Sequence, residues 1–544
     1  MSSGQPDAVR TILAVNFNHD GAAVLLREGR VAGFVTTERF SRIKKHPGLR
    51  EADLAELLDQ AGLSLSDVDH VLLCNLHNMD SPDIALLHGS DLKETWLEFW
   101  VDQRNARVSI HGRQIPCTVN PEHHLLHAAS SFYTSPFDTA VSVAIDPLGC
   151  RAYLGRGSKL MPLRRDFDSW FTANVGYCYV AEAMFGSSIV GAGKVMGLAP
   201  YGESEGASEV DLTGITRFDE LVALADKDPV PVKVGDRELN ARLAHYIQRG
   251  LDIQLMELFA QLGPIAARAG IGPNLCLSGG TALNVVGTEP AFAASAFERI
   301  HFYPACGDDG TAIGAALWYW HHVLGHPRQS HPNTELMYSV RQYPEQAVQS
   351  ALDEHRDEIS VEVVDNYVGR AADLIAGGAV IGWFDGAAEI GPRALGHRSI
   401  LADPRSPTMR DRLNSEIKLR EHFRPFAPSV RNERATEWFG VSDSPFMLRA
   451  APVLKPGVPA VTHVDGTARL QTVRREDNPA YYDLIRAFED RTGVPMVLNT
   501  SLNTKGEPIA ETPQDAVRTL LDAGLDHLVL PHMIVRRREP GTAS

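Results

Sequence analysis

Residues 11–26 read TILAVNFNHDGAAVLL. Two apolar, β-prone runs flank the turn Asn18-His19-Asp20-Gly21, the pattern of two strands joined by a polar reversal. REGR (27–30) turns the chain again, and VAGFVTTERF (31–40) follows as a third strand. READLAELLDQAG (50–62) has the acidic start and closing glycine of a helix, and VDHVLLCN (68–75) reads as a buried strand. The order then returns. TAVSVAID (139–146) is a strand, PLGC (147–150) a turn, and RAYLGRGSKLMPLRR (151–165) two further short strands. Strand, acidic glycine-containing turn and strand therefore occur twice, around Asp20 and around Asp146. Such duplication predicts two similar α/β lobes facing each other.

Downstream, NLCLSGGTALN (274–284) reads as a strand running into the Gly279-Gly280 turn and a helix. PACGDDGTAIGAALWYWHHVLG (304–325) is an acidic glycine turn opening a helix whose Gly and Ala residues allow close backbone approach. Both place backbone N–H groups where an anion could sit, or are ordinary strand-to-helix turns. A boundary is expected between Gly325 and Asp365, where the chain turns polar and proline-spotted. Residues 1–340 then form one unit and 360–544 a second, which begins with the helix and strand of AADLIAGGAVIGWFDG (371–386).

The chain has 544 residues, 44% hydrophobic and 22% charged, with a formal net charge of −16. That length predicts more than one domain, and the acidic balance argues against a nucleic-acid binder. The six cysteines form no CxxC pair, which excludes a compact zinc ribbon and gives no sign of a disulfide framework. The start MSSGQPDAVRTILAV lacks the basic and long apolar segments of a signal peptide, and no apolar run is long enough to span a membrane. A soluble cytoplasmic protein is expected.

Three segments carry chemistry. NPEHHLLHAASSFY (120–133) places His123 and His127 four apart, on one helix face. They are either polar first-turn residues or metal ligands. Asp146 at a strand end and Asp308 at a helix start would complete a mixed nitrogen and oxygen site, His123/His127/Asp146/Asp308, for a divalent transition metal. EIGPRALGHRSILADPRS (389–406) and NSEIKLREHFRPFAPS (414–429) offer Arg393, Arg398, Lys418, Arg420 and Arg424. VLNTSLNTKGEPI (497–509) adds Asn499, Ser501 and Asn503 in a polar turn after an apolar strand. The cations either pair with surrounding surface acids or form a pocket for several phosphates, the reading favoured by the interleaved Gly and Pro. His19, beside Asp20, has the pKa range of a general base for a hydroxyl.

HHLLHAASSFY, GKVMGLAPYG (193–202), SGGTALN, GDDGTAIGAA (307–316), GPRALGHRSIL (391–401), FRPFAPS (423–429) and LNTSLNTKGEPI occur in that order. In this combination the chain resembles the O-carbamoyltransferases of the nodulation-protein and antibiotic-tailoring family. The resemblance implies an α/β chain in which an N-terminal actin/Hsp70-like (ASKHA) two-lobed domain precedes a C-terminal YrdC-like α/β domain. It implies that ATP, with magnesium, and carbamoyl phosphate form carbamoyl adenylate in the C-terminal unit. The carbamoyl group then passes to a hydroxyl of a small-molecule natural product in the N-terminal one.

By motif, the resemblance makes His123, His127, Asp146 and Asp308 metal ligands, with iron foremost and zinc or manganese as alternatives. It gives Lys418, Arg420 and Ser501 catalytic roles in adenylation and His19 the acceptor side. It has Arg424 hold phosphate and matches Asn503 to the adenylate-forming site; the basic pocket adds Arg393, Arg398 and Asn499, the glycine turn adds Gly279 and Gly280, and GKVMGLAPYG adds Lys194 as candidates for substrate and nucleotide binding. One departure stands out: the second-lobe turn is Asp146-Pro147-Leu148-Gly149, where the family has Asp-Gly-x-Gly, and proline removes a donor N–H. A sugar kinase or ATPase of actin-like fold, and a nucleotide-regulated binding protein, are the competing readings. No nucleic-acid or membrane partner is expected, a homodimer stays open, and acceptor specificity is assigned to loops such as LHNMDSPDIALLHGSD (76–91).

Overall fold

The computed structural model describes residues 9–76, 97–202 and 237–538. The segment 76–91, the candidate specificity loop, thus lies almost wholly outside the described residues.

The first sheet contains β1 (Thr11–Asn16), β2 (Ala22–Arg27), β3 (Arg30–Thr36), β4 (His70–Cys74), β5 (Phe99–Asp102), β6 (Arg107–Ile110) and β7 (Arg113–Val119), ordered β3-β2-β1-β4-β7-β6-β5. β1 is antiparallel to β2 and parallel to β4. The second contains β8 (Thr139–Asp146), β9 (Gly149–Arg156), β10 (Lys159–Pro162), β11 (Asn274–Ser278) and β12 (Arg299–Phe302), ordered β10-β9-β8-β11-β12. Here too the first strand, β8, is antiparallel to its hairpin partner and parallel to the next strand inward, β11. The duplicated lobe is therefore real in topology. The two reversals differ: Asn16 pairs with Ala22, leaving a five-residue loop at 17–21, whereas Asp146 pairs with Gly149 across Pro147-Leu148 alone.

β1, β4, β8 and β11 are buried throughout, apart from the half-buried first residue of β8, as expected of strands covered on both faces. Between the sheets run the helices His123–Thr134 and Thr311–Trp318, packed with both in one apolar core. Their contact is close because a Cβ at Gly314 would lie 1.9 Å from the carbonyl oxygen of Leu126; only glycine fits. The strand expected through Phe40 ends at Thr36. There Thr37 starts a short helix, donating its N–H to Gly21 and its hydroxyl to Gly48.

A third, mixed sheet holds β13 (Ile359–Val363), β14 (Ile381–Phe384), β15 (Arg398–Ala402), β16 (Ala427–Arg431), β17 (Arg449–Pro452), β18 (Thr467–Val473), β19 (Met496–Ser501), β20 (His527–Leu530) and β21 (Met533–Arg537). Its order is β13-β21-β20-β14-β15-β19-β16-β18-β17. It has its own core, drawn from Val348 to Val535. Arg42 ties the units together, donating to the carbonyls of Pro508 and Ile509 and pairing with Asp515 at 3.3 Å. Among the described residues no helix is long and apolar enough to cross a membrane, and all six cysteines are free thiols.

Candidate active sites

Pro121 and Glu122 start the histidine helix: the Glu122 carboxylate accepts from the N–H groups of His124 and Leu125, an acidic cap on the first turn. The helix aims His123 and His127 at two carboxylates from different strand and helix ends. His123 Nε2 lies 2.8 Å from Asp146 Oδ2, and His127 Nε2 lies 3.2 Å from Asp308 Oδ1 and 3.6 Å from Asp146 Oδ2. One ligand atom from each of His123, His127 and Asp308 falls within 4.8 Å of the others, a spacing that one ion could bridge. Asp146 joins them through both imidazoles.

The surroundings fix the orientation of these groups. The Asn75 carbonyl oxygen lies 3.0 Å from His123 Nδ1 while its amide donates to Asn16. A proton on Nδ1 leaves the Nε2 lone pair toward the carboxylates, the second-shell arrangement common at metal sites. Asn18 donates to Asp308, and Asn174 to the Asp146 carbonyl. His124, which the sequence reading leaves without a role, lies 3.1 Å from Asp146 Oδ1 and 3.2 Å from Glu122. Burial opposes its charge, but hydrogen bonds to Asp146 and Glu122 outweigh it and push its pKa up to about 10. For His123 as well, burial is outweighed by Asp308 and Asp146. Despite burial, the neighbouring imidazoles hold Asp146 and Asp308 below the usual carboxylate range.

His19 stands on the five-residue turn, its Nδ1 2.9 Å from Asp20 Oδ2 and its Nε2 3.6 Å from Asp308 Oδ2. Lys45 donates to both Asp20 oxygens at 2.7 and 2.8 Å. Burial lowers the His19 pKa, but Asp20 raises it further, for a net upward shift. Gly279, at φ +84°, lets the β11 turn pass β8, since a Cβ there would lie 2.2 Å from the Ile145 carbonyl oxygen. Gly280 faces open space.

The second cluster is in the C-terminal unit. Lys418 is buried, and its ammonium donates to the carbonyls of Ser501 (2.8 Å) and Asn503 (3.0 Å) and to Asn503 Oδ1 (2.6 Å). Ser501 Oγ donates to the same Asn503 oxygen at 2.7 Å. Three donors meet three neutral oxygens, and burial, then Arg420, push the Lys418 pKa down. Arg420 is braced by Asn414 at 2.8 Å and stacks over Phe426; burial and Arg424 push its pKa down to about 9. Burial likewise lowers Arg393, to about 10, and Arg424.

Sequence reasoning misses two members here. Arg469, on β18, feels burial and then Arg393, Arg420 and Arg424. Arginine keeps its proton in proteins, so that crowding amounts to a pull on anions. Asn414 signals nothing by type or spacing. Lys194 reaches across from the N-terminal unit to Glu421 at 2.9 Å. Arg398 is wholly buried over Phe384, donating to the carbonyls of Asp385, Gly386, His397 and Glu511. Asn499 is buried too, donating to Ala394, Ser429 and Gln471.

Between the clusters lies a cavity of about 110 Å³, lined by Asp20, Lys45 and Asp309 on one side and Ser501, Asn503 and Glu507 on the other. Burial and then Asp20 push the Asp309 carboxyl up to about 7.

The carbamoyltransferase N-terminus profile matches residues 85–217 and 230–317, and the carbamoyltransferase C-terminus profile matches 372–537. The chain belongs to the carbamoyltransferase family. This carbamoyltransferase is 36% identical to the nodulation protein NolNO of Sinorhizobium fredii, over 96% of this chain and 79% of that one. It is 33% identical to the 3'-hydroxymethylcephem-O-carbamoyltransferase of Amycolatopsis lactamdurans, over 64% of this chain and 65% of that one. Among solved structures, HypF of T. kodakarensis aligns with 58% of this carbamoyltransferase and 48% of its own chain, at 13% identity and a TM-score of 0.35. So distant a likeness carries no weight for fold or activity, and the lobe duplication rests on strand order.

Proposed function

We propose that this carbamoyltransferase acts in two steps, each in one unit, and passes the activated group between them. In the C-terminal, YrdC-like unit, carbamoyl phosphate loses phosphate to water, and the resulting carbamate oxygen attacks the α-phosphorus of ATP. Carbamoyl adenylate forms and pyrophosphate leaves. In the N-terminal, actin/Hsp70-like unit a hydroxyl of a small natural product attacks the carbamoyl carbon, its proton is taken up, and AMP leaves. The observation that carries this reading is the buried excess of cations around Lys418, Arg420, Arg424 and Arg469, faced by the acids Glu421 and Glu507. Such a cluster suits substrates bearing several phosphates.

Lys418 and the guanidinium groups would neutralise charge as the mixed anhydride forms, with Ser501 and Asn503 fixing the lysine. Magnesium would accompany ATP. The cavity between Lys45 and Ser501 supports an internal transfer that keeps a hydrolysable anhydride from bulk water. His19 takes the acceptor proton, and Asp20, itself held by Lys45, orients it. His123, His127 and Asp308, with Asp146 beside them, would hold a divalent metal: two imidazoles and a carboxylate suit iron, zinc or manganese. Bound there, such an ion supplies Lewis-acid polarisation of a carbonyl.

The chain then acts in the cytoplasm on a small hydroxyl acceptor, and its formal net charge of −16 offers no general attraction for a nucleic-acid partner. The full chain, given labelled carbamoyl phosphate and ATP without acceptor, should release pyrophosphate only when both are present. ADP formed on sugar addition, with no pyrophosphate dependent on carbamoyl phosphate, would instead establish the kinase reading.

A further inference from the structure

The segment KLREHFRP (418–425) carries Lys418, Arg420, Arg424 and a single acid, Glu421. It is gripped from two sides. Within its own unit, Asn414 accepts from Arg420 Nε at 2.8 Å and donates to the Arg424 carbonyl at 3.1 Å. From the N-terminal unit, the helix Ser188–Leu198 lies against it. A Cβ at Gly197 would sit 3.5 Å from Pro425, and the Phe423 ring lies 6.5 Å from those of both Phe185 and Tyr201.

Two cations compete for Glu421. Lys194 Nζ lies 2.9 Å from its Oε1, whereas Arg424 Nη1 lies 3.8 Å from its Oε2. The first contact is a charge-assisted hydrogen bond and the second is too long to be one; Oε2 accepts no hydrogen bond. Without the lysine, the Glu421 carboxylate keeps only the hydrogen bond from its own backbone N–H, which leaves its other oxygen free to swing toward the guanidinium three residues on. A closed Glu421–Arg424 pair would have to open before an anion could use that guanidinium.

We propose that Lys194 is a positioning residue for the C-terminal site: by drawing Glu421 to the unit interface it keeps Arg424 open to an anionic substrate. The inference rests on the adenylate-forming reading of that site and adds a role for a side chain of the other unit. It predicts an asymmetry that a passive strut does not. Removing the lysine should weaken substrate binding, and removing the glutamate as well should restore it.

The test is pyrophosphate release by the full chain with varied carbamoyl phosphate and saturating ATP. Wild type is compared with Lys194→Met, Glu421→Gln, the double variant and Lys194→Arg. Lys194→Met should raise KM for carbamoyl phosphate about tenfold with kcat within about twofold, the pattern of lost binding rather than lost chemistry. The double variant and Lys194→Arg should return KM to within about threefold of wild type. Glu421→Gln alone should leave KM at or below the wild-type value, which keeps the inference testable if Lys194→Met fails to fold. An unchanged KM in Lys194→Met, a double variant as impaired as the single one, or a tenfold rise in Glu421→Gln overturns the inference. If wild type itself releases no pyrophosphate dependent on carbamoyl phosphate, the proposed function falls, and the inference with it.

Discussion

The two polar clusters bury charge in opposite ways. Around Asp146 and Asp308 each carboxylate meets an imidazole, and Asp20 meets Lys45. Around Lys418 the cations meet mainly neutral oxygens and one another, and Glu421 lies closer to Lys194 (2.9 Å) than to Arg424 (3.8 Å). A paired cluster can stand without a ligand and exchange its protons for a metal. A cation-crowded one is held together against repulsion by the fold, and an anion relieves it. In the reading proposed above, the first cluster suits a small cation and the second suits phosphates, and the cavity lies between them.

The largest expected effect comes from removing the cation that neutral oxygens hold. Lys418→Met should lower the rate of pyrophosphate release by about a thousandfold, as loss of a central electrostatic group does; a fall of less than tenfold would equate this cluster with surface charge. His127→Ala tests the other side. It should purify with less than about a tenth of the wild-type metal content, read by elemental analysis, while pyrophosphate release stays intact. Equal metal content in wild type and variant would mean that the imidazoles serve only to pair the carboxylates.

Gly314→Ala probes the frame that brings His127 to Asp308. Its Cβ would meet the Leu126 carbonyl at 1.9 Å, so about 3 kcal/mol of stability should be lost, measured by denaturant unfolding. A loss below about 0.5 kcal/mol would show that the two helices separate easily. Arg469→Met should raise KM for carbamoyl phosphate about tenfold and shrink the thermal stabilisation by pyrophosphate, whereas no change would remove Arg469 from the anion site.

The smallest effect lies outside both clusters. Asp252 hydrogen-bonds to the neutral Gln248 at 2.8 Å, and burial pushes its pKa up to about 6 from 3.8. A carboxyl raised on folding stabilises fully below 3.8 and loses that contribution as pH climbs through 6. Asp252→Asn should therefore gain in Tm relative to wild type between pH 4.5 and 7.5, by about 1–3 °C in a chain of this size. A pH-independent difference would contradict the shift.

Much of the fold was legible because it is local. Alternation, turns and caps in residues 11–62 and 139–165 mark the strands and helices that form, and the repeated strand–turn–strand appears as the same antiparallel and parallel pairing in two sheets. The His123/His127 face was legible from helical spacing; the family resemblance put Lys418, Ser501 and Asn503 in one pocket, but their direct hydrogen bonds were not foreseen. What stayed hidden depends on contacts far apart in sequence. His124 looks like a first-turn residue until Asp146, 22 residues on, is beside it. Arg469 is one polar position of a strand, and its place among three other arginines is set by β18 pairing with β16. Lys194 and Glu421 stand 227 positions apart in the numbering, and nothing local links them. Even the strand boundary at Thr36 was set by hydrogen bonds to Gly21 and Gly48 rather than by propensity.

In the proposed reaction the two units perform separate half-reactions. That division is tested most directly by supplying each half on its own to two variants, with a hydroxyl acceptor accepted by the wild-type chain. Lys418→Met should fail to make carbamoyl adenylate yet transfer the carbamoyl group from carbamoyl adenylate added to it. His127→Ala should make and accumulate carbamoyl adenylate yet fail to transfer it. Both variants failing in the same half-reaction, or each failing in both while still folded, would contradict the division of labour.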